Sequence, residues 1–174
     1  MSTPAYIRIE GKTQGLITQG AFTGDSVGNV FVEGHEDEIL VQAIKHSIKT
    51  PTDPQSGQPS GPRVHSPFIF TCALNKAMPL LNTALVNGET LTNVLVEWYR
   101  TSTDGKQEKF YRTLFEDATI VSIDTVLPHA QDPSSASYTQ VIEVSLTYRK
   151  IIWEHLLAGT EGSDDWRMPS RAQG

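Results

Sequence analysis

Thr50-Pro51-Thr52-Asp53-Pro54-Gln55-Ser56-Gly57-Gln58-Pro59-Ser60-Gly61-Pro62-Arg63-Val64-His65-Ser66-Pro67-Phe68-Ile69-Phe70-Thr71 is the stretch on which the fold turns. Five prolines and two glycines fall between Pro51 and Pro67. Each proline lacks a ladder donor, so the segment can be neither a helix nor a central strand along its length. It reads as a long extended loop over 50–67. Loops beyond roughly 12 to 15 residues are uncommon in a compact domain unless they are disordered or functional. The prolines restrict φ and bias the preceding residues to extended geometry, which makes a semi-rigid arm that loses little entropy on docking. The competing account is a solvent-exposed linker, because Pro, Gly, Ser and Gln enrichment also marks disorder. Asp53 and Arg63 tilt the balance, as a pair that pins a loop to itself or reaches a neighbour. The loop, from Thr50 to Arg63 with His65, is therefore the candidate subunit contact.

Outward from the arm, Phe68, Phe70, Cys72 and Leu74 alternate with Ile69, Thr71 and Ala73, the pattern of a buried strand that anchors it. The one helix follows. Pro79 suits a first helical position, Leu80, Leu81, Ala84 and Leu85 form an apolar stripe, and Asn87-Gly88 supplies a left-handed stop. At two and a half turns it must cover a sheet or plug a barrel end. Before the arm, Glu38 to Lys49 fits either a helical stripe or a strand with a bulge between Ala43 and Ile44, and the β-rich surroundings favour the strand. His46 is then a hydrogen-bonded, partly buried side chain. Tyr6 to Glu10 alternates as a first strand, and a second short strand is expected over Asn29 to Glu33. His35, Glu36, Asp37 and Glu38 invite a metal reading, but consecutive side chains diverge and a solvated turn is the better account.

Further on, Leu91 to Thr101 and Gln107 to Glu116 are strands joined through Thr103-Asp104-Gly105-Lys106, a strong hairpin signal. Ala118 to Leu127 is a further strand. Pro128 to Ser137 is a polar loop, in which His129 and Asp132 are surface residues. Tyr138 to Glu154 is the longest strand-like run. A polar tail is expected from Gly159 to Gly174, although Trp166 within it calls for packing on the body or a neighbour.

The totals set the class. A chain of 174 residues is one domain, 1–174, large enough to bury roughly 70% of its unfolded surface without metals or disulfides. The net charge of −6 and the absence of basic runs argue against nucleic-acid or anionic-membrane surfaces. The single cysteine, Cys72, excludes an intramolecular disulfide and reads as a small buried hydrophobe. Neither a secretory leader nor a membrane span is present, so export would need a dedicated machine. The motifs G-x-S-x-G, H-E-x-x-H, G-x-x-x-x-G-K, G-x-G-x-x-G and C-x-x-C are all missing, which removes the positive case for an enzyme. No catalytic, cofactor or metal residues are assigned.

The ordered features resemble the Hcp family of tube proteins of bacterial type VI secretion. The resemblance is carried by Pro4-Ala5-Tyr6-Ile7, the arm from Pro51 to His65, Pro67-Phe68, Trp98-Tyr99-Arg100, Leu114-Phe115-Glu116-Asp117-Ala118, Tyr148-Arg149-Lys150-Ile151 with Trp153, and Gly162-Ser163-Asp164-Asp165-Trp166. It implies a mainly β fold: a β-barrel of two antiparallel sheets with a short flanking helix and a long extended loop that reaches an adjacent subunit or ring. It further implies homohexameric rings stacked into a hollow tube, made in the bacterial cytoplasm and secreted without a signal peptide. The partners it implies are further copies of the chain, the VgrG spike, the contractile sheath and baseplate, and small effectors in the lumen. Met78 stands where relatives often have a capping Ser, and Gln140 where many have His. The alternatives are a monomeric ligand-binding β-barrel and an unrecognised hydrolase using His46, His65 or His129.

Overall fold

The computed structural model describes residues 3–28, 33–135 and 140–166. Eleven strands and two helices follow in order: β1 (Ala5–Gly11), β2 (Gly15–Leu16), α1 (Gly24–Val27), β3 (Ile39–Lys45), β4 (Ile48–Lys49), β5 (Val64–His65), β6 (Phe68–Ala73), α2 (Met78–Asn87), β7 (Leu91–Thr101), β8 (Gln107–Val126), β9 (Val141–Thr147), β10 (Lys150–His155) and β11 (Thr160–Asp165). Nine strands make one antiparallel sheet that curls on itself. One wall runs β11-β10-β8-β7 and the other β1-β3-β6-β9. They join where β7 pairs with β1 and where β9 pairs with the second half of β8. Closure leaves few of the exposed edges that an open sheet would present to aggregation, β11 being one.

Alternation in the sequence produces the interior. On β6, Phe68, Phe70 and Cys72 are buried, while Leu74, expected on the same face, lies past the strand end and is 50% exposed. Ile7 and Ile9 of β1, Val94 and Val96 of β7, Phe115 and Ile120 of β8, and Val144 and Leu146 of β9 fill the same core. Cys72 is fully buried and burial pushes its thiol up to about 12, as befits a packing residue.

α2 covers the core with Met78, Leu81 and Ala84, whereas Leu80 is turned partly outward. The helix starts at Met78, one residue before the position expected from Pro79. Asn75 replaces the missing cap: its Oδ1 accepts the Ala77 N–H at 2.9 Å. Gly88 ends the helix with φ 62°, a conformation that costs a residue bearing a Cβ about 1–2 kcal/mol.

Several expectations shift by a few residues. The 38–49 segment is extended, but it divides into β3 and β4, which belong to different sheets, and the register of β3 slips between Val41 and Ala43, ahead of the expected bulge. The two runs 107–116 and 118–127 fuse into the single β8, in which Asp117 takes φ 50° rather than ending the strand. The 138–154 run divides into β9 and β10, which continue along the same edge of β8 on either side of Tyr148-Arg149. The tail expected from Gly159 is instead the edge strand β11, paired with β10 from Lys150↔Asp165 to His155↔Thr160. The strand expected over 29–33 lies outside the described residues except for Glu33.

Candidate assembly arm and its latch

The arm is a narrow hairpin. Ile48 and Lys49 pair with His65 and Val64, and a further bridge joins Thr52 to Pro59. Between these, the Ser60 N–H donates to Pro51 O at 2.8 Å. At the tip the Asp53 N–H donates to Gln58 O, the Gly57 N–H donates to Asp53 O, both at 2.8 Å, and Asp53 Oδ1 accepts the Gln55 N–H at 2.9 Å. Gly57 makes this closure possible through φ 72°, which a β-branched residue adopts only under strain. Every residue from Ile48 to Pro62 is exposed. The arm thus keeps its shape through its own hydrogen bonds and proline geometry, with little help from the barrel.

Its root is fastened differently. The Arg63 guanidinium donates through Nε and Nη2 to the two oxygens of Asp164, at 2.6 and 2.8 Å, and through Nη2 to Asp165 O at 3.1 Å. A bidentate pair of this kind fixes direction as well as charge. It holds the Asp164 carboxyl below the usual range, with His65 contributing. Asp53 and Arg63, expected as a pair, therefore serve opposite ends: one closes the tip, the other ties the root to β11.

Beneath the arginine lies a buried chain of polar groups. His65 Nε2 is 2.7 Å from Asp164 Oδ2, His65 Nδ1 is 2.6 Å from the Tyr148 hydroxyl, and that hydroxyl is 2.7 Å from His46 Nε2. With Asp164 ionised and both histidines neutral, the donor count allows one consistent assignment. His65 donates from Nε2 to the carboxylate, so its Nδ1 accepts the Tyr148 proton. His46 then donates from Nε2 to the phenol oxygen. Burial and the neighbouring His65 hold the His46 pKa down, and burial with the Asp164 charge holds the Tyr148 pKa up. Trp166 stacks on the His65 ring at 5.5 Å and donates its Nε1–H to Tyr148 O, which places the aromatic on the body. Arg149, at the break between β9 and β10, pairs with Asp117 and Asp165 and lies 3.8 Å from Glu116.

Thr50 to Pro62 of the candidate set therefore form one continuous exposed ribbon, while His65 departs from it. His65 is 6% exposed and belongs to the latch. Spacing along the chain did not single out Asp164, Tyr148 and Arg149; the signal was Trp166, whose bulk in a polar stretch marked the segment as packed. The Asp164-His65-Tyr148 series has the order of an acid, a base and a hydroxyl, but His65 and Tyr148 are sealed in the core, so a substrate has no approach to them. The 35–38 turn is held by His35 stacked on Tyr6 at 3.8 Å and bonded to Glu38 at 2.9 Å, and no metal-competent cluster occurs among the described residues. Asp132 accepts a hydrogen bond from the Ser134 hydroxyl at the surface, and its N–H donates to His129 O.

The described residues thus form a closed barrel from which one braced, exposed arm projects. The model of the family described as type VI secretion system effector, Hcp, matches residues 6–155, and the chain belongs to the Hcp family. The "Major exported protein" of Pseudomonas aeruginosa is 55% identical over 169 residues, covering 97% of this chain and 98% of that one. A solved structure described as "Crystal structure of Hcp protein" is 54% identical, with a TM-score of 0.91 over 96% of this chain and 99% of that one. The secreted protein Hcp3 of Pseudomonas aeruginosa is 47% identical, with a TM-score of 0.80 over 96% and 100%. The Escherichia coli K12 protein YhhZ is 30% identical over 163 residues, which cover 94% of this chain but 38% of YhhZ. The chain is a structural protein of type VI secretion, mainly β and of the exported kind.

Proposed function

We propose that this chain is the repeating subunit of a type VI secretion tube, assembling as six-membered rings that stack around a lumen able to shelter small effectors. The observation that carries this is the arm: fifteen consecutive exposed residues, Ile48 to Pro62, held in one shape and fastened at the root by a partly buried latch. A solitary barrel gains nothing from ordering such a projection, whereas a head-to-tail contact that repeats and closes makes a ring. Membership of the Hcp family supports the same reading, and VgrG, sheath and baseplate are its expected neighbours. The chain carries no bond chemistry of its own; any toxic activity rides as cargo.

Size-exclusion chromatography with light scattering tests this directly. The expected mass is near six times 19.2 kDa, and electron microscopy should show rings. Deleting Gln55 to Ser60 should leave the barrel's circular dichroism intact and abolish the ring. A wild-type chain that stays at 19.2 kDa at high concentration refutes the proposal, and a ring unaffected by the deletion reduces the arm to a linker.

A further inference from the structure

Four titratable side chains run in one line from the arm's root into the barrel: Asp164, His65, Tyr148 and His46, each within 2.7 Å of the next. The Asp164 end is fully engaged, because both carboxylate oxygens accept from Arg63 and Oδ2 also faces His65. His65 and Tyr148, in the middle, are buried. His46 is half-buried, so it is the one imidazole of the series that water can reach. Its Nε2 is used on Tyr148, and its Nδ1 has no hydrogen-bond partner among the described residues.

The surroundings of His46 suit a neutral ring. Phe68 of β6, Phe115 of β8 and Tyr148 meet it edge to face, with centroids at 5.6, 6.2 and 5.8 Å. Tyr111 and Thr113 of β8, Trp98 of β7 and Trp153 of β10 border the same hollow. Lys45 and Lys49 flank it on its own length of chain. The anion of the series, Asp164, stands behind His65 and is matched by Arg63. A second proton on His46 therefore makes a cation without a bonded anion, and burial together with His65 lowers its proton affinity accordingly. The escape is outward, and it passes through the arm. Ser47, the next residue, is half of the clasp that joins the two limbs: its N–H donates to Ser66 Oγ at 3.0 Å, while Ser66 donates to Ser47 O from Oγ at 2.7 Å and from N at 3.0 Å. Beyond it, β4 and β5 are joined by two residue pairs only. A backbone shift at His46 reaches all of these bonds.

We propose that His46 is a proton-operated catch on the arm: on taking a second proton at Nδ1 it leaves its seat against Tyr148, and the Ser47–Ser66 clasp and the β4–β5 pairs open while the barrel stays closed. The barrel ladder is spared because β3 ends at Lys45 and β6 begins at Phe68, on either side of the moving residues. Asp164 takes no part at pH 5.5, since Arg63 and His65 hold its carboxyl below the usual range and it stays ionised. A histidine freed to water titrates near about 6.5, and the open root binds the extra proton, so acid favours opening. Between pH 7.5 and 5.5 the open fraction then rises by up to about tenfold. This goes beyond the ring reading and does not depend on it.

The test is hydrogen exchange of the full chain, read by mass spectrometry at pH 7.5 and 5.5 and corrected for the chemical pH dependence of amide exchange. In the wild type, peptides covering 46–49 and 64–66 should exchange about three- to tenfold faster at the lower pH. At pH 5.5, about 1 M urea should speed exchange in β9 but leave the root within about twofold, because opening the root exposes little surface. His46→Gln, which still donates to Tyr148 but does not titrate, should hold the root equally at both pH values. His46→Leu, which lacks the donor, should exchange faster than wild type at pH 7.5 and respond no further to acid. A wild-type root that changes by less than about twofold overturns the proposal. So does the wild-type acid response persisting in the two His46 variants, which moves the trigger to another group. Root and β9 peptides that share one rate and one urea response also overturn it, because the opening is then that of the whole barrel.

Discussion

Removing one oxygen from Tyr148 tests the latch most sharply. Tyr148→Phe keeps the ring packed against Phe115 at 4.8 Å and deletes only the hydroxyl that links His46 to His65. Two hydrogen bonds are lost, one of them buried. A typical bond contributes roughly 0.5–1.5 kcal/mol, and a buried group left unpaired costs about 1–3 kcal/mol. His65 keeps its bond to Asp164 and His46 is half-buried, so the middle of that range applies, about 2 kcal/mol. For a chain of this length each kcal/mol moves Tm by roughly 2–4 °C, which gives a loss of about 4–8 °C. The assay is urea unfolding and calorimetry at pH 7.5 and one fixed protein concentration, since association raises apparent stability. A change below about 0.5 kcal/mol would refute the claim that this hydroxyl joins the arm's root to the core. So would the same loss in a His46→Leu background, because leucine removes the shared bond and the two changes must then be less than additive.

Three further outcomes follow from the same geometry. Asp164→Asn, which strips Arg63 and His65 of their anion, should leave the barrel folded but speed proteolysis at the arm's root several-fold; an unchanged cleavage rate excludes a latch. The sign of the pH response is fixed by His46, whose proton affinity is lowered first by burial and then by His65. The folded state then binds fewer protons than the unfolded one, so stability is full above about pH 6.5 and falls as pH drops below it. Urea midpoints at pH 7.5 and 5.5 should therefore differ more in the wild type than in His46→Gln, and an equal difference sinks the assignment. Leu81→Ala, at a fully buried helix position, should cost about 2–5 kcal/mol, measured by urea unfolding, and a loss under 1 kcal/mol would mean that α2 does not seal the core.

Local chemistry made much of this legible. Prolines at 51, 54, 59, 62 and 67 announce a loop because they lack donors wherever they sit, and Asp104-Gly105 announces a turn because its backbone demands are local. Alternation at 68–72 named the core face for the same reason. What failed to show were interactions whose partners are remote along the chain. Arg63 reads as a mate for Asp53, ten positions away, because nothing in a string of letters reveals that Asp164, 101 residues on, folds beside it. The Tyr148-Arg149 break is likewise invisible, since β-formers continue on both sides; it arises because Arg149 turns toward Asp117 and Asp165. The strand at 160–165 is polar throughout and owes its form to pairing with β10, a tertiary cause that propensity does not register.

One strand, β8, runs for twenty residues through both walls, bonded to β7, β10 and β9 in succession. Tension applied along it is shared at once among all three ladders, whose amides must rupture together in shear rather than peel apart singly. A barrel strung on such a spar resists a pull along its long strand better than one held by separate hairpins.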